Sequence, residues 1–585
     1  LKNILEKGAS MVVNRSTRVW LSGALYIASV LLGSCSLVLG FTAKSYYRIR
    51  SQGCDAARDL VGWQPLINKQ SDSFYGAFFI LPAYQRTFNA EYIAKQLFGS
   101  STLTFSGSRV ANRSSKDILA DYFGLPTDFQ SLVCFDPQIK NMIFDLQGYL
   151  GLDNVVKGLY CRLDIPVVHS SWDLGFKEFI QSEGINFDPA GYISAATVAR
   201  SDLQQGVNLT GDAVYGDMIY PLQFGKIFGR ELVNAIAELR GVLGWNATGC
   251  DYHAGVNLRI NAPTGNRPRG EFLFEAIVGN GKHWELGGGI TTHYTWWRSH
   301  DEQQSLGFYL DGNFTHLFAT TQVRSFDLAG NGAGSRYMVV QDMADKSDNL
   351  LLGAGGPAAA YQYTSNLYML INKTSLPVKV SVALQADIAL KLSYNRNGAE
   401  FDIGYGFYGR TKETFHHRAR MLSNRYALKG DAQVYGFQRS DNTPIALDAS
   451  QSKATIRAGQ GAGNGNYSNE NIDVPTPAAS GLGLLNPLTS SDAAALNVPL
   501  PALANTSSQP ILLTDDDLSC CAPLLPRAIT NKLFFHIGNI WQDSSCETSK
   551  PFFGIGGEVE WASGNPCQSS ACPQWSVWAK GGVGF

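Results

Sequence analysis

Residue types able to do acid–base or metal chemistry are sparse in this chain and poorly spaced. Nine histidines are spread over 585 residues. His283 with Glu285, or His293 with His316, would make an acid–base or metal pair if the fold joined them. No fixed spacing does so, and chance neighbours on a polar strand face are the simpler reading. The sequence has no GxSxG elbow, HExxH helix or GxxxxGK[ST] loop. Gly279-Asn280-Gly281-Lys282 has the composition of a phosphate loop but falls at a predicted hairpin turn. The glycine run 459–465 lacks the strand before it and the helix after it that a dinucleotide site needs. Ten cysteines include no CxxC pair, which removes the zinc ribbon and the dithiol redox motif. Cys567 and Cys572 flank a short loop and are disulfide candidates in an oxidising compartment, with two unlinked thiols as the alternative. The expectation is a non-enzyme with no cofactor and no metal.

Composition narrows the class further. Charged residues make up 16% of the chain, against roughly 25% in soluble globular proteins. Lys+Arg 47 against Asp+Glu 49 leaves a formal charge of -2, so nucleic acid is not an expected partner. Sixty glycines, 31 Phe, 25 Tyr and 11 Trp describe an aromatic β-protein.

The charges that remain are placed by strands. From Pro377, the positions Val378, Val380, Val382, Leu384, Ala386, Ile388, Leu390, Leu392 and Tyr394 are apolar, while Lys379, Asp387 and Lys391 stand on the alternate set. Period two over this length predicts a strand. Asn397-Gly398 then supplies a tight turn, and Phe401, Ile403, Tyr405 and Phe407 resume the alternation opposite Glu400 and Asp402. At about 3.3 Å per residue, the first arm outruns an ordinary strand of five or six residues and suits a tilted membrane-spanning one. Lys379, Asp387, Lys391, Glu400 and Asp402 are therefore expected to face a water-filled lumen and to set ion and solute preference. The alternative is that they pair with one another across the wall.

The same grammar recurs at 271–278 with 282–297, at 306–314, and more weakly at 74–88, 101–108, 159–168 and 425–437. Trp284, Trp296, Trp297 and Trp575 are of the type that settles at a headgroup boundary. Along the last run Trp575, Val577, Ala579, Gly581, Val583 and Phe585 share one face, and the sequence ends on Phe. Here it resembles the Gram-negative outer-membrane β-barrels, porin-like members included, whose last strand commonly ends in an aromatic residue with apolar residues at alternate positions before it. Val583 and Phe585 match that insertion signal, while Lys580 stands where a glycine is usual. The resemblance covers about 71–585. It implies an all-β fold, a transmembrane antiparallel β-barrel of roughly 14–18 strands with minor helical loop insertions, in a bacterial outer membrane. The implied partners are outer-membrane lipid and the insertion machinery, with a homo-oligomer as a further expectation.

The remaining segments complete the division. Arg15 and Arg18 precede an uncharged stretch from Val19 to Ala43, as in a secretory signal peptide, so 1–43 is read as a leader. Cleavage near Gly40 competes with lipidation at Cys35 and with an uncleaved anchor. Residues 44–70 are expected to form a periplasmic segment, and 71–585 the barrel. Within it, 442–527 is low in complexity and reads as a long outer loop. Strand counting puts the 395–398 turn at the same end as that loop and His416–Arg420 at the opposite end. Helical spacing at Leu232, Ile236, Leu239 and Leu243, and similarly at 176–182, predicts a loop helix, either folded into the lumen or exposed. The functional expectation is a passive diffusion channel for small polar solutes or ions. The alternatives are a plugged surface barrel with a structural or adhesive role, and a secreted or lipid-anchored β-protein.

Overall fold

A computed structural model describes residues 44–62, 75–184, 220–343, 363–428 and 512–585, short interruptions apart, together with a few strand residues between 434 and 468. The leader 1–43 and nearly all of 448–511 lie outside the described residues. A closed wall of 12 antiparallel strands dominates. In chain order these are β1 (Tyr75–Thr87), β2 (Gln138–Gly151), β3 (Leu159–Asp173) and β4 (Arg230–Ile236, continuing as Leu239–Thr248). Next come β5 (Tyr252–Ala262), β6 (Glu285–Arg298), β7 (Gln304–Ser325) and β8 (Ser375–Arg396). The last four are β9 (Ala399–Arg410, continuing as Glu413–Arg418), β10 (Ala528–Ile540), β11 (Lys550–Ala562) and β12 (Gln574–Gly584). Each pairs with the next, and β12 returns to β1 with Val583 opposite Phe78. No strand edge is left in the wall, which is what lipid requires of a sheet.

The 8–9 hairpin forms as its alternation predicts. Leu392 lies opposite Ile403 and Asp387 opposite Tyr408, around a turn in which Asn397 (φ 51°) and Gly398 (φ 88°) both take positive φ. The count falls below 14–18 because 101–108, 271–278 and, after the 8–9 hairpin, 425–437 add no wall strand. Tyr426–Leu428 joins a small sheet with Val339–Met343, and Val434–Phe437 pairs with Pro444–Leu447. Removing that spurious strand also corrects the orientation. All the tight turns, the 395–398 turn included, gather at the end that bears Gly584, while His416–Arg420 and every long connection lie at the other. Thr102–Ser106 and Lys177–Ser182 each pair with Gln130–Cys134 in a second small sheet within these connections, so 176–182 is strand, not helix. A helix, α2 (Ala90–Phe98), capped by Asn89, follows β1.

The predicted helix at 232–243 is wall strand. β4 carries one extra residue at Ala237–Glu238, since Ile236 faces Val167 and Arg240 faces Asp164. Such a bulge reverses the side-chain phase. Two period-two runs joined by a one-residue slip place Leu232, Ile236, Leu239 and Leu243 outward at spacings of four, three and four, which imitates a helix.

Candidate functional site

Eight strands make a barrel that side chains can fill, and 16–18 leave a channel. Twelve strands enclose a lumen of intermediate width, and here the N-terminal segment occupies it. Residues 45–62 are buried throughout. They are not a periplasmic segment beside the barrel, as expected for 44–70, but a plug inside it. Lys44 donates its N–H to Leu97 O at 3.0 Å in the long-loop end. Farther down, Lys580 on β12 donates to Arg58 O at 3.1 Å and Val61 O at 2.7 Å. The lysine that breaks the usual pattern of a last strand is thus a lumenal hook for the plug. A short helix, α1 (Ala56–Leu60), forms midway. Asp55 caps it by accepting from Ala57 N at 3.1 Å and Arg58 N at 3.4 Å, as an N-cap aspartate should.

Ion pairs bind this segment to the wall in layers. Arg50 meets Glu560 and Asp55 at 3.0 Å each and Asp387 at 3.6 Å. Asp55 also accepts from Lys532 at 2.9 Å, and Lys532 reaches Glu558 at 3.3 Å. One layer on, Asp59 lies 2.8 Å from Arg162 and 3.0 Å from Arg240, and Arg240 pairs with Asp164 at 2.7 Å. Burial alone would raise the Asp55 carboxyl, but Lys532, Arg50 and Arg58 hold it well below the usual carboxylate range. The connection between β5 and β6 tightens the fit. Predicted as a hairpin arm, 271–278 instead folds inward. Gln52 donates to Ile277 O at 3.0 Å and accepts from Gly279 N at 2.9 Å. Toward the tight-turn end, Tyr75, Phe79, Tyr149, Tyr160 and Phe552 pack as an apolar floor.

The expected lumenal charges divide. Asp387, Lys391, Glu400 and Asp402 do face inward, but in this state no open water column reaches them. Lys391 donates to Glu400 at 2.7 Å and to Asp402 at 3.0 Å. Lys379 is the exception, exposed on the outside, while Val378, Val380 and Val382 are fully buried. An extra residue in β8 between Val382 and Gln385, seen in its register with β7, inverts the face. Glu400, Asp402 and His536 offer three donor atoms within 4.8 Å of one another, a grouping the sequence did not reveal. The Lys391 ammonium holds both carboxylates and so takes the position a cation would need. His293 pairs with His253 across the β5–β6 ladder rather than with His316. His283 is held by Phe318 O, and Glu285 by Asn261 and Asn280.

Outside, the apolar face is that of a lipid-exposed belt. Leu390, Ile403, Leu533, Phe535, Ile555 and Val577 are exposed. Trp284 is exposed at the long-loop end of β6, and Trp296 and Trp297 are exposed at its tight-turn end. The run from Trp284 to Trp296, at about 3.3 Å per residue and a tilt of about 40°, rises about 30 Å, close to the height of a membrane barrel's apolar band. Trp575 is only partly exposed, edge-on to Tyr84 at 5.6 Å. Val583 and Phe585 are exposed. Cys567 and Cys572 are not joined in a disulfide. Burial pushes the Cys572 thiol up to about 12.

The sequence matches no protein-family model and no curated protein. Among solved structures, an outer membrane channel from Pseudomonas putida F1 is similar at 9% identity over 87% of this chain and 96% of that one, with a TM-score of 0.28. A Pseudomonas aeruginosa FadL homologue is similar at 6% identity over 93% and 98%, with a TM-score of 0.25. OprB of Pseudomonas putida is similar at 7% over 92% and 99%, with a TM-score of 0.17. Likeness at this level decides nothing about activity, and the architecture rests on strand closure and the apolar belt. The chain folds as a closed antiparallel β-barrel with an apolar outer face. The plug was the part that sequence reasoning missed. Its only signal was the density of charge in Arg48, Arg50, Asp55, Arg58 and Asp59, unusual for a chain so poor in charge.

Proposed function

We propose that this protein is an outer-membrane channel for passive diffusion of small polar solutes or ions, kept closed at rest by its own N-terminal segment. The observation that carries this reading is the plug: a single strip of chain, joined to the wall through buried ion pairs. A permanently filled lumen would be served as well by apolar packing, because a buried ion pair often adds little over a hydrophobic fill. Charges of both signs that must be rehydrated if the plug leaves are better suited to a lumen that is at times wet. In this reading the tight turns face the periplasm, the long connections face outward, the leader 1–43 is removed during export, and Val583 with Phe585 addresses the insertion machinery.

Planar-bilayer recording of the purified protein tests it. Rare stepwise openings are expected from the native chain, and frequent ones from variants with a weakened plug. A tight seal in both, with the plug shown to be displaced, would refute the channel and leave a plugged structural barrel.

A further inference from the structure

The charges that face the lumen do not balance without the plug. From β2 to β7 the wall buries Asp145, Asp164, Glu238, Glu285 and Asp311, and from β8 to β11 it buries Asp387, Glu400, Asp402, Glu558 and Glu560. Against these ten carboxylates stand six cations: Arg240, Arg259, Lys391, Lys532, Lys580 and Arg162, whose side chain is 10% exposed. Arg324, Arg410 and Glu413 at the long-loop mouth bring the wall to eleven carboxylates and eight cations among the described residues. The plug carries the opposite excess, with Lys44, Arg48, Arg50 and Arg58 against Asp55 and Asp59. Arg50 shows how the two are matched. It lies 3.0 Å from Glu560 and 3.6 Å from Asp387, and neither carboxylate forms an ion pair with a wall residue among the described ones. Glu560 is otherwise held by neutral donors, the Thr530 hydroxyl and the Gln574 amide, and Asp387 by the plug's own Ala56 N–H.

We propose that the lumen, once the plug leaves, passes small cations in preference to anions, with Asp387 and Glu560 as the residues that set the preference. Carboxylates returned to water are ionised at neutral pH, and fixed charges lining a narrow wet pore raise the local concentration of the opposite sign. In the closed state the Arg50 guanidinium takes the place beside Asp387 and Glu560 that a passing cation takes in the open one. The plug is thus a tethered counter-ion, and the carboxylates that bind it serve selection as well as closure. This inference rests on the channel reading and narrows its solutes to small cations.

Reversal-potential measurement across a potassium chloride gradient, on the full-length Asp55→Ala barrel in planar bilayers, tests it. That substitution weakens the plug and leaves the wall charge as it is. Potassium should permeate several-fold better than chloride at about 0.1 M salt, and the preference should shrink at about 1 M, where the screening length falls from about 10 Å to about 3 Å. Adding Glu560→Gln or Asp387→Asn should bring the ratio toward unity. Adding Lys379→Gln on the outer surface should not move it, and heat-modifiable gel migration reports that each variant is folded. Equal or chloride-favouring permeability, or a ratio that neither Glu560→Gln nor Asp387→Asn lowers in a folded barrel, would overturn the proposal. The sign of the lumenal field is also read without conduction, from the rates at which positively and negatively charged methanethiosulfonates modify Ser576→Cys in the same barrel, since the Ser576 hydroxyl lies 2.9 Å from Glu558. A faster positive reagent in a barrel that stays sealed would refute the channel and spare the acidic lumen, whereas conduction that favours chloride would do the reverse.

Discussion

Removing the Asp55 carboxylate should unlatch the plug. In the docked state that group meets Arg50 at 3.0 Å, Lys532 at 2.9 Å and Arg58 at 3.3 Å, all of them buried. Asp55→Ala leaves Lys532 with Glu558 alone, at 3.3 Å. With the plug displaced, Asp55 and Lys532 both stand in water, so the substitution acts on the docked state. Breaking a buried pair by removing one partner costs about 3–5 kcal/mol. At about 1.4 kcal/mol per decade, that shifts docking by roughly two to three and a half decades. Asp55→Asn, which keeps an N-cap oxygen, should show most of the effect, because charge and not capping supplies it. Single-channel recording should find the open fraction raised by at least about a hundredfold over the native chain, with heat-modifiable migration unaltered. An open fraction equal to the native one in a folded Asp55→Ala barrel would refute the latch.

Other consequences are measurable on the same preparation. Cys54 and Cys572 are buried, and burial raises both thiols, so maleimide should label the exposed Cys250 and Cys520 first and reach Cys572 only when the plug is released. The Asp55 carboxyl is held low in the docked state and relaxes to about 3.9 when free. Docking therefore keeps its full ionic stabilisation above about pH 4 and loses it as pH falls further, and channel openings should become frequent only below that range. Leu390→Lys puts a charge on the lipid face and should cost up to about 2–4 kcal/mol in urea unfolding from vesicles, less if its depth is near the interface. Lys379→Leu, on the same outer surface, should cost nothing measurable in that assay.

The wall was legible in the sequence wherever one strand kept one phase. Leu384 to Phe407 shows this best, since lipid on one side and polar groups on the other write period two directly into the residues. Legibility fails at single-residue slips. The bulge at Ala237–Glu238 turned a strand into an apparent helix, and the slip between Val382 and Gln385 sent Lys379 outward although it stands in the same row as Lys391. Alternation also does not say what an apolar run packs against. Leu273, Phe274, Ala276, Ile277 and Val278 looked like a strand and serve as a buried wedge beside the plug. The plug was least legible of all, because its partners lie hundreds of positions away, as with Arg50 and Glu560. A short charged stretch without periodicity carries no local trace of that environment.

Hydrogen exchange over residues 44–62 in the folded, full-length protein tests the occupied lumen most directly. The Ala56 N–H bonds Asp387 at 2.9 Å and the Asp59 N–H bonds Asp55 O at 2.9 Å, both sealed from water in the docked state. Protection lasting minutes to hours, lost in Asp55→Ala, is the expected result. Exchange within seconds in the native chain would mean that the segment hangs free of the barrel, and the gate with it would be ruled out.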